Sequence, residues 1–215
     1  MNNRSAVFIA SLDSGHVHYL EELESLAKEN DIPVICREAQ GLIKFFLTMH
    51  KPRRILEIGT AIGFSALLMS EYAPKDCEII TIERDEARIK AAESNFLKHG
   101  KTKQISLLSG DALGIIKGLT EPFDFIFMDA AKGQYLNLLS DILKLLNPGG
   151  ILITDNVLQD GDILESRYAI TRRDRTIHGR MRDFLYEIKH CETLCTEILD
   201  IGDGVAVSYK LSSST

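Results

Sequence analysis

Between residues 53 and 155, short and strongly apolar segments alternate with longer segments of helical periodicity. Segments such as EIITIE and FDFIFMD are apolar on both faces, which is typical of strands buried inside a parallel sheet. The segments between them, such as DEARIKAAESNFLKHG, have apolar residues at helical spacing. Strand–helix repeats of this kind form an α/β fold with helices covering the sheet.

The two ends of the chain differ from this repeat. Near the end, TLCTEILDIGDGVAVSYKL holds two strand-like runs around Gly-Asp-Gly, which predicts an antiparallel hairpin. We therefore predict a doubly wound, mostly parallel, seven-stranded α/β sheet with a C-terminal antiparallel hairpin. Residues 1–50 contain helical patterns interrupted at Pro33, which predict an N-terminal helical cap in front of a core over residues 51–211. The 215 residues together are expected to form a single domain.

Charge and cysteine content restrict the classes of function. The net charge of −6 argues against a general nucleic-acid binder. No apolar run approaches the ~20 residues of a membrane span, so we expect no membrane partner. The four cysteines form no CxxC pair, and the apolar stretch near the N-terminus is short for a signal sequence. We therefore expect reduced thiols and a cytoplasmic location.

An acidic residue follows each of the five predicted parallel strands. Ligands of open α/β sheets bind beyond the carboxyl ends of the strands, so these residues are candidates for one shared site. Each of them alone could instead cap the following helix. The five residues are Glu57, Glu83, Asp111, Asp129 and Asp155.

The first predicted strand leads into a glycine loop, Glu57-Ile-Gly59-Thr-Ala-Ile-Gly63. Its glycines allow a tight turn and a close approach of the backbone to a ligand. The spacing differs from the GxGxxG that binds a dinucleotide pyrophosphate. Glu83 ends the next strand, where a carboxylate can accept hydrogen bonds from both ribose hydroxyls. Together these features favour a nucleoside cofactor without a pyrophosphate.

These motifs resemble those of a known enzyme family. The series ExGxxxGxS from Glu57, then Glu83, GDA from Gly110, and Asp129 resembles class I S-adenosylmethionine-dependent methyltransferases, which have a Rossmann-like core. LEIGTAIGFSAL, FIFMDAAKGQY and ILITDNVL are similar to the metal-dependent O-methyltransferases of the catechol and caffeoyl-CoA type. The resemblance runs from about Pro33 to the terminal hairpin. It implies a homodimeric enzyme that transfers a methyl group from S-adenosylmethionine to oxygen.

The resemblance also implies a role for each matching residue in binding S-adenosylmethionine. The glycine loop would contact the methionine end, Glu83 the ribose hydroxyls, and Asp111 with Ala112 the adenine. The implied cofactor residues are Ile35, Glu57, Gly59, Ser65, Glu83, Asp111, Ala112 and Asp129.

The family's metal ligands correspond to Asp129, Asp155 and Asn156. Their spacing is consistent with this role, because the two aspartates are one strand–helix–strand unit apart and can leave neighbouring strands. Carboxylate and amide oxygens suit Mg²⁺ or another hard divalent cation. Lys132 matches the catalytic lysine, which with Asp129 forms the implied catalytic pair. The cation would acidify a hydroxyl that has a second oxygen on the adjacent carbon.

A cationic segment suggests the substrate. Residues 167–182 hold six arginines and one aspartate, and arginines bind RNA by neutralising phosphates. AKGQY, ITDNVL and this segment resemble the bacterial tRNA 5-hydroxyuridine methyltransferases. That resemblance implies methylation of 5-hydroxyuridine at the tRNA wobble position to 5-methoxyuridine. The candidate tRNA-binding residues are Arg172, Arg173, Arg175 and Arg180.

Three alternatives remain open. A catechol or caffeoyl-CoA type O-methyltransferase for small molecules keeps every site residue and changes only the substrate, in which case the arginines form a solvated helix face or a dimer contact. A nicotinamide-dependent dehydrogenase is opposed by the missing GxGxxG. A non-catalytic module that binds S-adenosylmethionine is opposed by the presence of Lys132 and of all three metal ligands.

Overall fold

The computed structural model describes residues 3–166 and 168–212. These residues form seven strands, eight α-helices and two short 3₁₀ helices. The strands are β1 Arg54–Ile58, β2 Glu78–Glu83, β3 Ile105–Ser109, β4 Phe123–Met128, β5 Leu146–Thr154, β6 Leu194–Leu199 and β7 Val205–Lys210. The α-helices are α1 Asn3–Ser11, α2 His18–Glu29, α3 Arg37–His50, α4 Phe64–Tyr72, α5 Glu86–Lys98, α6 Ala112–Gly118, α7 Tyr135–Leu145 and α8 Arg175–His190. The 3₁₀ helices are Lys132–Gln134 and Gln159–Leu164.

The strands form one sheet with the order β3-β2-β1-β4-β5-β7-β6. The first five strands are parallel, and β7 is antiparallel to both β5 and β6. The strand order reverses next to β1, so the crevice between β1 and β4 is the expected ligand site. The predicted fold, a mostly parallel seven-stranded α/β sheet with a C-terminal antiparallel hairpin, is confirmed.

Hydrophobic clusters cover both faces of the sheet. Consecutive strand residues point to opposite faces, so Ile55 of β1 belongs to one cluster and Leu56 to the other. The first cluster includes residues of α2 to α5, such as Leu20 and Leu67. The second includes residues of α6 to α8, such as Leu138 and Phe184. The N-terminal helices α2 and α3 therefore share a core with the sheet.

Some boundaries differ from those predicted. The sequence pattern predicts the fifth strand from Gly149, over GGILITD, whereas β5 begins at Leu146. The strand is longer because Leu146 pairs with Phe123 ahead of an irregularity in register. Helix α8 begins within the arginine-rich segment and continues to His190, beyond that segment. None of the helices in the described ranges has both the length and the apolarity needed to cross a membrane.

Candidate active site

A cavity of about 540 Å³ lies at the carboxyl ends of the parallel strands. Main-chain hydrogen bonds continue one residue past the strands and hold the following residues side by side. The amides of Gly59, Asp129 and Asp155 donate to carbonyls of the adjacent strands at 2.9–3.0 Å. Eight of the predicted site residues line this cavity: Ile35, Gly59, Glu83, Asp111, Ala112, Asp129, Asp155 and Asn156. The sequence therefore identified residues that the fold brings together.

The glycine loop is fixed by close packing. Gly59 has φ +93°, and a Cβ at this position would lie within 3.0 Å of the Asp129 carbonyl group. Gly63 has φ +87°, and a Cβ there would overlap the Phe96 ring. Both positions need glycine, because side chains are strained at such φ values and the space is filled. The loop therefore passes close to the end of β4, and its residues Gly59 and Ala61 line the cavity.

Glu83 ties the end of β2 to the glycine loop. Its carboxylate accepts hydrogen bonds from three backbone amides: those of Ala61 at 3.0 Å, Arg84 at 2.8 Å and Asp85 at 3.0 Å. The side chain is buried and also lines the cavity. Glu83 thus shapes the loop and remains adjacent to the predicted ribose site. Asp111 likewise caps α6, accepting from the Leu113 amide at 3.1 Å, while it lines the cavity.

Glu57 and Ser65 are buried and are not among the lining residues. The Thr81 hydroxyl donates to Glu57 Oε2, whereas Glu57 Oε1 has no hydrogen-bond partner among the described residues. Burial raises the pKa of Glu57, and nearby hydroxyls, that of Ser65 first, oppose the shift. The structure therefore does not bring these two predicted cofactor-binding residues into the described lining of the cavity.

Asp129 and Asp155 form the most perturbed acidic pair in the cavity. Burial raises the pKa of Asp129 from 3.8 to about 7, and the charges of Asp155 and Glu57 add to the shift. Burial also raises the pKa of Asp155, and the hydrogen bond from the Asn156 amide, 2.8 Å long, opposes this shift. Such a pair favours either a bound proton or a bound cation.

The donor set fits a hard divalent cation. Asn156, with φ +54°, lines the cavity beside the two aspartates, so the three predicted ligands lie in one place. Across residues 3–166 and 168–212, no three His, Cys, Asp or Glu side chains are grouped as a metal site would require. A cation here therefore needs the amide oxygen of Asn156, and water or substrate in its other positions.

Lys132 lies in the 3₁₀ helix after β4 and is not among the lining residues. Its Nζ donates to Asp203 Oδ2 at 3.0 Å, and Asp203 does line the cavity. Asp203 belongs to the turn between β6 and β7 and was not predicted as a site residue. The signal was an acidic residue between two glycines, Gly202 and Gly204, but the sequence did not show that this turn reaches the site.

The four candidate tRNA-binding arginines are outside the described lining of the cavity. Arg172 and Arg173 are exposed in the turn before α8, and Arg175 donates to the Ile170 carbonyl. Arg180 donates to the carbonyl of Gly133 at 3.1 Å, next to Lys132 in the chain. Only Arg180 is thus attached to the active-site region, while Arg167 lies outside the described residues.

Comparison with known proteins decides the family. The model of the O-methyltransferase family matches residues 10–211. The chain belongs to this family. The methyltransferase is 32% identical over 151 residues to a catechol O-methyltransferase of Niastella koreensis, covering 68% of each chain. It is 27% identical over 204 residues to caffeoyl-CoA O-methyltransferase 1 of Eucalyptus globulus, covering 90% of this chain and 82% of the relative.

Solved structures agree with this assignment. A candidate caffeoyl-CoA O-methyltransferase from Staphylococcus aureus superposes with a TM-score of 0.87 at 30% identity, covering 97% of this chain and 99% of the other. A methyltransferase of Podospora anserina with bound S-adenosylhomocysteine has a TM-score of 0.86 at 25% identity, covering 99% and 97%. The prediction of an S-adenosylmethionine-dependent O-methyltransferase is confirmed. These relatives do not support the tRNA wobble substrate and favour the catechol or caffeoyl-CoA alternative.

Proposed function

We propose that this methyltransferase transfers a methyl group from S-adenosylmethionine to one hydroxyl of a small phenol with two adjacent oxygens, aided by a hard divalent cation. The observation that carries the proposal is the placement of Asp129, Asp155 and Asn156 in the cavity that Gly59 and Glu83 also line. The curated relatives named above, a catechol and a caffeoyl-CoA O-methyltransferase, support this substrate class.

The protein's part in the reaction is binding and charge placement. Gly59, Glu83 and Asp111 would hold the methyl donor, whose sulfonium supplies an electrophilic methyl group. Asp129, Asp155 and Asn156 would hold the cation, which lowers the pKa of a hydroxyl bound to it. Asp155 is buried and Asp129 is partly buried, so their electrostatic interactions are stronger than those of carboxylates in bulk water.

Lys132 is proposed to act as the base. Its Nζ, which donates to Asp203 in this structure, first releases one proton to water, and the neutral amine then accepts the proton of the acceptor hydroxyl. The O–H bond breaks as an N–H bond forms at Nζ. The oxygen bonds to the methyl carbon as the bond between that carbon and the sulfonium sulfur breaks. The charge that develops on Nζ is close to Asp203, 3.0 Å away. Proton transfer to a positioned base contributes typically about 10²–10⁴ in rate.

Product analysis tests this function. The purified protein is incubated with S-adenosylmethionine, Mg²⁺ and catechol, a caffeoyl thioester, or a phenol with a single hydroxyl. We expect mass spectrometry to find one added methyl group only on the substrates with adjacent hydroxyls. Asp155→Ala should abolish this activity, whereas Asp76→Ala, in an exposed turn after α4, should retain it. Equal methylation of the single-hydroxyl phenol would refute the proposed substrate class.

A tRNA containing 5-hydroxyuridine is the second candidate substrate, because its O4 and O5 are also adjacent. Exposed Arg172 and Arg173 and the link between Arg180 and Gly133 are the observations that favour it. If tRNA is the substrate, Arg172→Ala with Arg173→Ala should reduce tRNA methylation and its dependence on salt. A small-molecule enzyme should show the same catechol turnover in that double variant.

Two further expectations remain predictions. The family resemblance implies a homodimer. The apolar side chains of Phe8 and Ile9 on α1 are each 63% exposed, which is consistent with a surface that a second copy of the chain covers. Sedimentation of the wild type and of Phe8→Ser with Ile9→Ser tests this. The expected cytoplasmic location can be tested by fractionation of the source cells.

A further inference from the structure

The turn between β6 and β7 brings one more carboxylate, that of Asp203, to the lining of the cavity. Asp203 Oδ2 accepts from Lys132 Nζ at 3.0 Å, and the two side chains are 14% and 32% exposed. Asp203 lines the same cavity as Asp129 and Asp155. The ion pair therefore adjoins the cavity that the proposed metal ligands line.

Close packing fixes the position of this turn. Gly202 has φ +56° and Gly204 has φ +82°, and a Cβ at either position would come within 3.0 Å of a neighbouring side chain. The neighbours are Cys36, at the start of α3, for Gly202 and Leu158 for Gly204. Both positions therefore need glycine, and Asp203 is held between them.

Backbone hydrogen bonds attach the same turn to the segment that follows β5. The amide of Val157 donates to the Gly204 carbonyl at 3.0 Å, and that of Leu158 donates to the Asp203 carbonyl at 2.9 Å. This segment follows Asp155 and Asn156 directly. The backbone at Asp203 is thus fixed relative to the segment that follows the proposed metal ligands, by contacts that do not involve its side chain.

Lys132 has a long side chain on a short 3₁₀ helix, and the lysine side chain has many rotamers. An ion pair to a rigid partner reduces this freedom. We propose that Asp203 is a positioning residue, which holds the Nζ of Lys132 beside the cavity that Asp129 and Asp155 line. It thereby sets where the acceptor hydroxyl loses its proton and stabilises the ammonium group that results. This inference rests on the proposed function, because it assigns Asp203 a part in that reaction.

Trace labelling of amines tests the contact in the protein without substrate. Wild type and Asp203→Asn are treated with acetic anhydride, and the acetylation rate of each lysine is measured by mass spectrometry. Because Asp203→Asn removes the charge that holds Nζ, we expect Lys132 to react at least about three times faster. Lys101 and Lys189 are internal controls, since their ion pairs with Glu71 and Glu197 are unchanged. An unchanged rate at Lys132 would overturn the inference.

A double-mutant cycle tests whether Asp203 acts through Lys132. We expect Asp203→Asn to lower kcat about tenfold, with the affinity for S-adenosylhomocysteine within about twofold of wild type. Added to Lys132→Met, it should cause no further loss, and Asp203→Glu should recover part of the wild-type kcat. Asp200→Asn, an exposed acid of the same hairpin, should leave kcat unchanged. Full additivity of the two losses would overturn the positioning role.

The two claims fail in different ways. The labelling experiment needs no substrate, so an unchanged labelling rate contradicts the role of Asp203 and leaves the proposed function standing. The absence of methyl transfer to any substrate with adjacent hydroxyls contradicts the proposed function while the labelling result stands.

Discussion

Replacing Asp129 by asparagine should stabilise the protein without ligands and inactivate the enzyme. Burial and neighbouring charges raise the pKa of Asp129 from 3.8 to about 7. Between these values the folded protein retains a proton that the unfolded chain has released, so stability falls as pH rises from about 4 to about 7. Above pH 7 the full penalty of the ionised carboxylate remains, and an uncharged asparagine avoids it.

The size of the effect follows from the shift. Roughly three pKa units at ~1.36 kcal/mol per unit give an upper bound of about 4 kcal/mol. Because Asp129 is only partly buried, we expect about half of this, ~2 kcal/mol at pH 8. For a chain of this length that corresponds to a rise in Tm of about 4–8 °C.

Thermal denaturation with chelator present, at pH 4.5 and pH 8, measures this prediction. Asp129→Asn should have the higher Tm at pH 8 and little advantage at pH 4.5. Asp141→Asn is the matched control, because an ion pair with Lys144 lowers the pKa of this partly exposed aspartate and keeps it ionised at both pH values. A Tm below that of wild type at pH 8, or a difference independent of pH, would refute the reasoning.

Two other variants test the cofactor region. Gly59→Ala places a Cβ against the Asp129 carbonyl at φ +93°, so we expect at least about 2 kcal/mol of destabilisation and loss of S-adenosylhomocysteine binding. Gly100 has φ +67° with open space around it, so Gly100→Ala should lower the free energy of unfolding by only about 1 kcal/mol and retain S-adenosylhomocysteine binding. Denaturation measures the first quantity and calorimetry the second, and equal effects of the two glycine variants would contradict this account. Glu83→Gln leaves one of its backbone donors unsatisfied, so unfolding free energy should fall by about 1–3 kcal/mol and S-adenosylhomocysteine affinity by about tenfold. Exposed Glu93→Gln should change neither quantity, and wild-type affinity in Glu83→Gln would show that the loop does not depend on this carboxylate.

The sequence predicted the parallel strands and the residues that follow them because both depend on local patterns. Strand β2 matches the predicted EIITIE, and Asp129 and Asp155 follow β4 and β5 as expected. Parallel strands in register bring their carboxyl ends together, so residues far apart in sequence could be assigned to one site from the sequence pattern alone.

What the sequence did not reveal depends on contacts between distant segments. Asp203 reaches the site because β7 inserts between β5 and β6, an order that strand patterns do not specify. The arginines were predicted to bind tRNA, but the direction of their side chains depends on how α8 packs. Arg175 and Arg180 are bound to backbone carbonyls, which explains part of the cationic segment without any nucleic acid.

Binding of Mn²⁺, measured by electron paramagnetic resonance, tests most directly whether the two aspartates and Asn156 form a cation site for a substrate with adjacent oxygens. With S-adenosylhomocysteine present, wild type should bind one Mn²⁺ per chain, catechol should tighten this binding, and Asp155→Ala should lose it. Stoichiometric Mn²⁺ binding that persists in Asp155→Ala, or its absence from the wild type, would contradict the account.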